Sequence, residues 1–248
     1  MIDMIYERNC PNCDVKLIYN SNEAYYLAKR KNGKCRSCAT KLYAKRKGNL
    51  EFLLEETNES YYWIGFILAD GSFDRNKRLK IVLSRKDKSH LELFSLKTNS
   101  NVKDTISKLN NMEYEQSTIS IMHTDIVSKI LNKFDIKSNK TINPPDMKFY
   151  ENINKEKLFS LFVGYIDGDG SIGKKHKRDD SYIRIKVHKN WLDFIDFFNK
   201  KLEINSPLKI TNSGYSLLQI SNYKICKKIK SEMLSLNIPF LKRKWDLI

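Results

Sequence analysis

The sequence predicts an α+β fold: two pseudo-symmetric αββαββα repeats whose strands line a β-saddle, preceded by a small N-terminal zinc-binding module. Three observations carry this reading. The stretches Trp63-Ile64-Gly65-Phe66-Ile67-Leu68-Ala69-Asp70-Gly71-Ser72 and Phe162-Val163-Gly164-Tyr165-Ile166-Asp167-Gly168-Asp169-Gly170-Ser171 are near-copies, each with a glycine five residues before Asp-Gly-Ser. After each copy the same order of strand and helix patterns recurs. Four cysteines, in two C-x2-C pairs, lie ahead of both copies.

Residues 1–48 hold the module. Cys10-Pro11-Asn12-Cys13 and Cys35-Arg36-Ser37-Cys38 have the spacing of two thiolate knuckles closing on one tetrahedral Zn²⁺. A redox role is disfavoured, because two such pairs occur without a thioredoxin-like βαβ pattern. Between Leu27 and Asn49 come Lys29, Arg30, Lys31, Lys34, Arg36, Lys41, Lys45, Arg46 and Lys47, with no acid among them. The tract Lys41–Lys47 reads as a linker able to track phosphates. Gly48-Asn49 marks one boundary and Asn143-Pro144-Pro145-Asp146 another, where consecutive prolines end regular structure. The repeats are therefore expected over 49–146 and 147–248.

Each repeat opens with its motif, read as a buried helix ending at the aspartate. A short strand follows near Gly71–Asp74 and near Gly170–Lys174. The next strands alternate cleanly. Leu79, Ile81 and Leu83 face one way, and Arg78, Lys80, Val82 and Ser84 the other. In the second copy Ile183, Ile185 and Val187 turn inward, leaving Tyr182, Arg184, Lys186 and His188 outward. A helix pattern comes next, over about Lys88–Leu96 and Trp191–Leu202. Strand pairs are expected at Val102–Ile106 with Tyr114–Met122, and at Leu208–Thr211 with Tyr215–Ser221. A closing helix covers about Asp125–Phe134 and Tyr223–Leu236.

Composition narrows the partners. The 248 residues carry 45 Lys+Arg against 29 Asp+Glu, a formal net charge of +16. Such an excess suits a polyanion, since each neutralised phosphate releases condensed counterions. A membrane role is disfavoured: the longest apolar run, Tyr61–Ala69, is too short to span a bilayer, and the start resembles no signal peptide. A soluble, intracellular protein is expected, with cysteines serving metal or burial rather than disulfides. Cys226, alone in a helix pattern, reads as a small core residue. The outward strand faces offer cations and hydrogen-bonding groups of the kind that read base edges in a major groove.

The motif itself carries chemistry. Gly65 and Gly164 cost helix stability, about 1 kcal/mol each against alanine. Their recurrence suggests that two motif helices pack backbone to backbone, helped by the small Ala69 and Gly168. Asp70 and Asp169 would then meet at two helix C-termini, where like charge and the helix dipoles both disfavour carboxylates. Divalent cations such as Mg²⁺ would neutralise that pair and could activate water for phosphodiester hydrolysis. A single Asp-Gly-Ser is usually a helix-ending turn; its duplication with the same flanking glycine argues otherwise. An EF-hand is excluded, because Ile172 and Arg178 stand where the calcium loop needs Gly and Glu.

These paired motifs resemble those of the LAGLIDADG homing endonucleases in their monomeric, two-repeat form, over about Glu51–Ile248. The resemblance implies intron-homing chemistry: Mg²⁺-dependent cleavage of both strands of a long, pseudo-palindromic double-stranded DNA site, leaving short 3′ overhangs. It assigns catalytic metal binding to Asp70 and Asp169, assisted by the carbonyls of Ala69 and Gly168. Leu68 departs from the name-giving pattern, which has an acid there; Asp167 keeps it. Related enzymes place basic residues around the bound phosphates, for which Arg85 and Lys189 align best, followed by His123 and Lys224. The alternative of another class is an RNA-splicing maturase, or a DNA-binding regulator that keeps the fold without cutting.

Overall fold

The computed structural model describes residues 5–40, 48–110, 112–174 and 181–248. The tract Lys41–Lys47 lies outside the described residues. The chain divides into two compact units, Met1–Lys47 and Gly48–Ile248.

In the first unit a hairpin pairs β1 (Tyr6–Asn9) with β2 (Lys16–Tyr19), and α1 (Asn22–Arg30) follows. The Ser21 hydroxyl caps α1 by accepting from the Ala24 N–H at 3.2 Å. Tyr25 holds the helix on the hairpin, its ring 5.8 Å from Tyr6 and 6.0 Å from Tyr19. The buried part of this unit is little more than Cys10, Cys35 and Cys38, with Leu17 against them. So small an apolar core would not hold 40 residues unaided, and a bound metal is the usual remedy.

The second unit contains the repeats. The first runs α2 (Asn58–Asp70), β3 (Gly71–Phe73), β4 (Arg78–Ser84), α3 (Lys88–Thr98), β5 (Lys103–Leu109), β6 (Met112–Met122) and α4 (Thr124–Lys133). The second runs α5 (Lys155–Asp169), β7 (Gly170–Lys174), β8 (Ser181–His188), α6 (Leu192–Lys201), β9 (Leu208–Ile210), β10 (Tyr215–Ile220), α7 (Tyr223–Ser235) and a short α8 (Lys242–Trp245). The strands form two antiparallel sheets of matching order, β3-β4-β6-β5 and β7-β8-β10-β9. Leu79, Ile81 and Leu83 are buried, as are Ile183, Ile185 and Val187, so the alternation read from sequence marks the inner faces.

The motif helices are buried on every side, over Ser60–Ala69 in α2 and Leu158–Asp167 in α5. A helix sunk on all faces needs no amphipathic stripe, which is why the motifs read as unbroken apolar runs. A methyl group added at Gly65 would overlap the Leu161 carbonyl, and one at Gly164 would overlap the Tyr62 carbonyl. Tyr62 and Leu161 hold equivalent places in the two copies, so the contact is reciprocal and marks a local two-fold axis. Ala69 and Gly168 are also equivalents, and a Cβ on Gly168 would strike that of Ala69. The glycines therefore let the two backbones touch.

The structure differs from the sequence expectation at one hairpin. β5 and β6 run to Leu109 and from Met112, well beyond the expected Val102–Ile106 and Tyr114. Residues 112–115 of this arm are exposed. Without a buried face there is no alternation to read.

Candidate active site

Asp70 and Asp169 are the last residues of α2 and α5. The helix contact at Ala69 and Gly168 brings these two ends together. Asp70 is half-buried, and its carboxyl is pushed up to about 6 by burial first and by the charge of Asp169 second. Asp169 stays open to solvent, yet crowding by the protein raises it too, against the pull of Lys140, the Tyr165 hydroxyl and Lys244. Both acids are thus held above the ordinary carboxylate range, chiefly by burial, and a cation close by would favour their charged forms.

Two lysines supply fixed positive charge. Lys140 Nζ donates to the carbonyls of Leu68, at 2.7 Å, and Ala69. Lys244 Nζ donates to the carbonyls of Ile166 (3.1 Å), Asp167 (2.5 Å), Gly168 (3.1 Å) and Gly170 (2.7 Å). Each motif helix thus ends under a cation that satisfies its last carbonyls and opposes its dipole. Burial lowers both ammonium groups, while the aspartates hold them up. Sequence reasoning missed both residues. Neither belongs to a motif; the clue was that each repeat carries a lysine soon after its closing helix.

The acid at the variable motif position has a different task. Asp167 is fully buried and accepts from the Tyr62 hydroxyl (2.8 Å), the Leu241 N–H (2.8 Å) and Trp245 Nε1 (2.7 Å). Burial pushes it up to about 6, although those donors oppose the shift. Tyr62 also meets His90 Nε2 at 2.8 Å, and burial draws that imidazole down to about 4. Leu68, the counterpart of Asp167, is simply a buried apolar side chain.

Arg85, Lys189, His123 and Lys224, named from sequence, sit at the ends of elements other than the motif helices. Arg85 follows β4 and pairs with Asp104 at 3.4 Å and Glu115 at 3.5 Å. Lys189 holds the matching place after β8, and its N–H donates to the Gly214 carbonyl at 3.1 Å. The charges that act most strongly on Asp70 are those of Asp169, Lys244, Lys140 and Asp87. His123 precedes α4, and Lys224 lies in the first turn of α7.

On the outward sheet faces, Arg78, Lys80 and Ser84 are exposed along β4, opposite Met122, Ser120 and Gln116 of β6. Along β8, Arg184 Nη2 donates to Gln219 Oε1 at 3.1 Å, and its guanidinium sits 5.1 Å from the Tyr182 ring centre. Lys186 Nζ lies 4.4 Å from the Tyr215 ring centre, and His188 pairs in register with Tyr215. These side chains share one face because directly opposed residues in a ladder point the same way.

In the other unit the four sulfur atoms of Cys10, Cys13, Cys35 and Cys38 lie within 4.8 Å of one another. A Zn–S distance of about 2.3 Å in a tetrahedron calls for sulfurs roughly 3.8 Å apart, so the cluster suits one such ion. The Cys35 N–H donates to Cys10 Sγ at 3.3 Å, and the Cys38 N–H to Cys35 Sγ at 3.3 Å. That first contact draws the Cys10 thiol down to about 6, whereas its sulfur neighbours push Cys38 up to about 12. Four thiols so close cannot all ionise without a cation among them.

A two-repeat α+β unit with an acid at each of two abutting helix ends defines a class, and solved structures of that class match it. The homing endonuclease I-WcaI, bound to its DNA recognition sequence, is 18% identical at a TM-score of 0.58, covering 77% of this chain and 87% of that one. The K262A mutant of I-SmaMI is 14% identical at a TM-score of 0.52, covering 75% and 87%. I-SmaMI is a LAGLIDADG homing endonuclease. The fold of this chain is accordingly the LAGLIDADG homing endonuclease fold. No protein-family model and no curated protein matches the chain. No helix among the described residues is long and apolar enough to cross a membrane.

Proposed function

We propose that the chain is a site-specific DNA endonuclease of the homing type, hydrolysing both strands of a duplex with Mg²⁺ held between Asp70 and Asp169. The observation that supports this most is the acid pair at two helix ends pressed together by Gly65, Gly164, Ala69 and Gly168. Binding DNA requires no such pair, and the arrangement costs stability without a cation.

The donors suit a hard cation: one exposed carboxylate, Asp169, and one half-buried, Asp70, with carbonyl oxygens beside them. The carbonyls of Ala69 and Gly168 already accept from Lys140 and Lys244, leaving each one further lone pair. A bound Mg²⁺ would act as a Lewis acid on a phosphate and make its water a better nucleophile. Asp70 and Asp169 keep the site negative and fix where that water stands. Lys140 and Lys244 immobilise the helix ends and present positive charge toward an incoming phosphate. Arg85, Lys189, His123 and Lys224 position the phosphates of the two strands. The faces bearing Arg78, Lys80 and Ser84, and Tyr182, Arg184, Lys186 and His188, read the bases of two unlike half-sites. One chain supplies both halves, so a monomer acts on a long, pseudo-palindromic target. Zn²⁺ held by Cys10, Cys13, Cys35 and Cys38 maintains the N-terminal unit.

The test is Mg²⁺-dependent linearisation of a plasmid library carrying randomised sites. Recovery of one cleavable sequence family supports the reading. Specific binding without cutting, whichever divalent ion is added, refutes it in favour of a non-cleaving regulator or a maturase.

A further inference from the structure

We infer that the N-terminal unit is a second DNA-binding surface, which grips duplex DNA beside the segment held by the repeats and lengthens the bound site. Its cations are arranged for phosphates rather than for internal pairing. Lys29, Arg30, Lys31, Lys34 and Arg36 are all exposed, and none pairs with a carboxylate among the described residues. The ion pair found in this unit joins Lys16 to Glu7, at 2.7 Å. In the repeats Lys88, Lys97, Lys133, Lys155, Lys157 and Lys200 each meet an acid within 2.8 Å, whereas Lys186 and Arg184, on the outward sheet face, meet Tyr215 and Gln219 instead.

The cations are also held in place. Arg8 reaches across the unit, donating to the Tyr19 hydroxyl at 3.0 Å and to the Gly33 carbonyl, midway along the cationic run. The end of α1 is closed by Lys31 N–H to Leu27 (3.1 Å), Asn32 N–H to Lys29 (3.1 Å) and Gly33 N–H to Ala28 (2.8 Å). Cys35 and Cys38, buried in the sulfur cluster, fix the backbone on either side of Arg36. Ordered like charges repel, so an arrangement of this kind is stabilised by a polyanion and loosened without one. Just before them in α1, Tyr26 and Leu27 stand 60% and 45% exposed. Apolar side chains interleaved with cations suit sugars and base edges between phosphates. That the polyanion is duplex DNA rests on the endonuclease reading; the charge pattern by itself calls for nucleic acid.

The experiment uses the full zinc-loaded chain and a fourfold variant, Arg30→Gln, Lys31→Gln, Lys34→Gln and Arg36→Gln, checked for unchanged zinc content. Each protein is footprinted on a long duplex carrying the cleavable site, and affinity is followed against salt. The variant should protect a shorter stretch, with the slope of log K on log salt smaller by about 3 to 4. On a duplex trimmed to the core site the two proteins should cut alike. An unchanged footprint and slope would overturn the inference, as would a preference of the cationic run for RNA over duplex DNA in competition. Absence of cutting by both proteins, with the footprint difference intact, would instead count against the endonuclease reading alone.

Discussion

The two repeats share a backbone but treat their motif ends differently. In the first, Leu68 fills its place with hydrocarbon, and Lys140 holds the helix end through the carbonyls of Leu68 and Ala69. In the second, Asp167 gathers Tyr62, Leu241 and Trp245, while Lys244 takes four carbonyls. Tyr62 comes from the first repeat, and the other two from the tail that closes the second. One copy is thus plain, and the other is cross-linked to the rest of the unit by polar contacts. The centre between them stays nearly symmetric, because its acids are set by the reciprocal glycine contact. On the endonuclease reading, symmetry is retained where chemistry on two strands would need it and relaxed elsewhere.

The sharpest way to break the symmetry is at the acids. Asp70→Asn and Asp169→Asn should each reduce double-strand cleavage by on the order of 10³-fold or more, with DNA affinity nearly intact. Plasmid linearisation and a binding assay read the two quantities; normal cutting by either variant would remove that residue from the mechanism. Next comes the seam. Gly65→Ala and Gly164→Ala should each destabilise the repeats by about 3 kcal/mol, since backbone cannot yield as a flexible side chain can. Chemical denaturation of both would show equal losses if the contact is as reciprocal as it looks.

Asp167→Leu makes the copies alike. It should cost about 2 kcal/mol, because three donors lose their acceptor, while Leu68→Met should cost under about 1.5 kcal/mol. His90 tests the same network through pH. Its folded pKa of about 4 lies below the ordinary value of 6.5, so the unfolded chain takes up the proton first between those limits. The wild type therefore loses stability as pH falls through that window, and a His90→Gln variant escapes this loss. The variant's deficit in Tm should shrink by the equivalent of roughly 2 kcal/mol between pH 7 and pH 4.5, and a constant deficit would show that His90 is solvated. Smallest of all, Arg85→Ala should alter the cleavage rate by less than about threefold, given its ion pairs with Asp104 and Glu115.

Much of this is legible in the sequence. The inner strand faces showed because Leu79, Ile81 and Leu83, and then Ile183, Ile185 and Val187, alternate with polar residues against one core. The glycine contact was legible because an unfavourable residue recurred in register. Lys140 and Lys244 were not, since what makes them matter is proximity to carbonyls 72 and 78 positions earlier in the chain. Asp167 could be seen as a motif acid, but its partner Tyr62 is 105 residues away. The β5–β6 arm escaped because both of its faces meet water.

The reciprocal glycine seam has a bearing on how such chains diversify. A joint closed by main chain on main chain asks little of the identity of nearby side chains. Either half could be replaced by the matching half of a distant relative, provided the incoming helix keeps its glycine in register and the buried Tyr62–Asp167 contact across the seam is kept or replaced by hydrocarbon on both sides. On the endonuclease reading, targets could then be recombined half by half, and duplication followed by shuffling would widen the repertoire faster than point substitution along a single saddle.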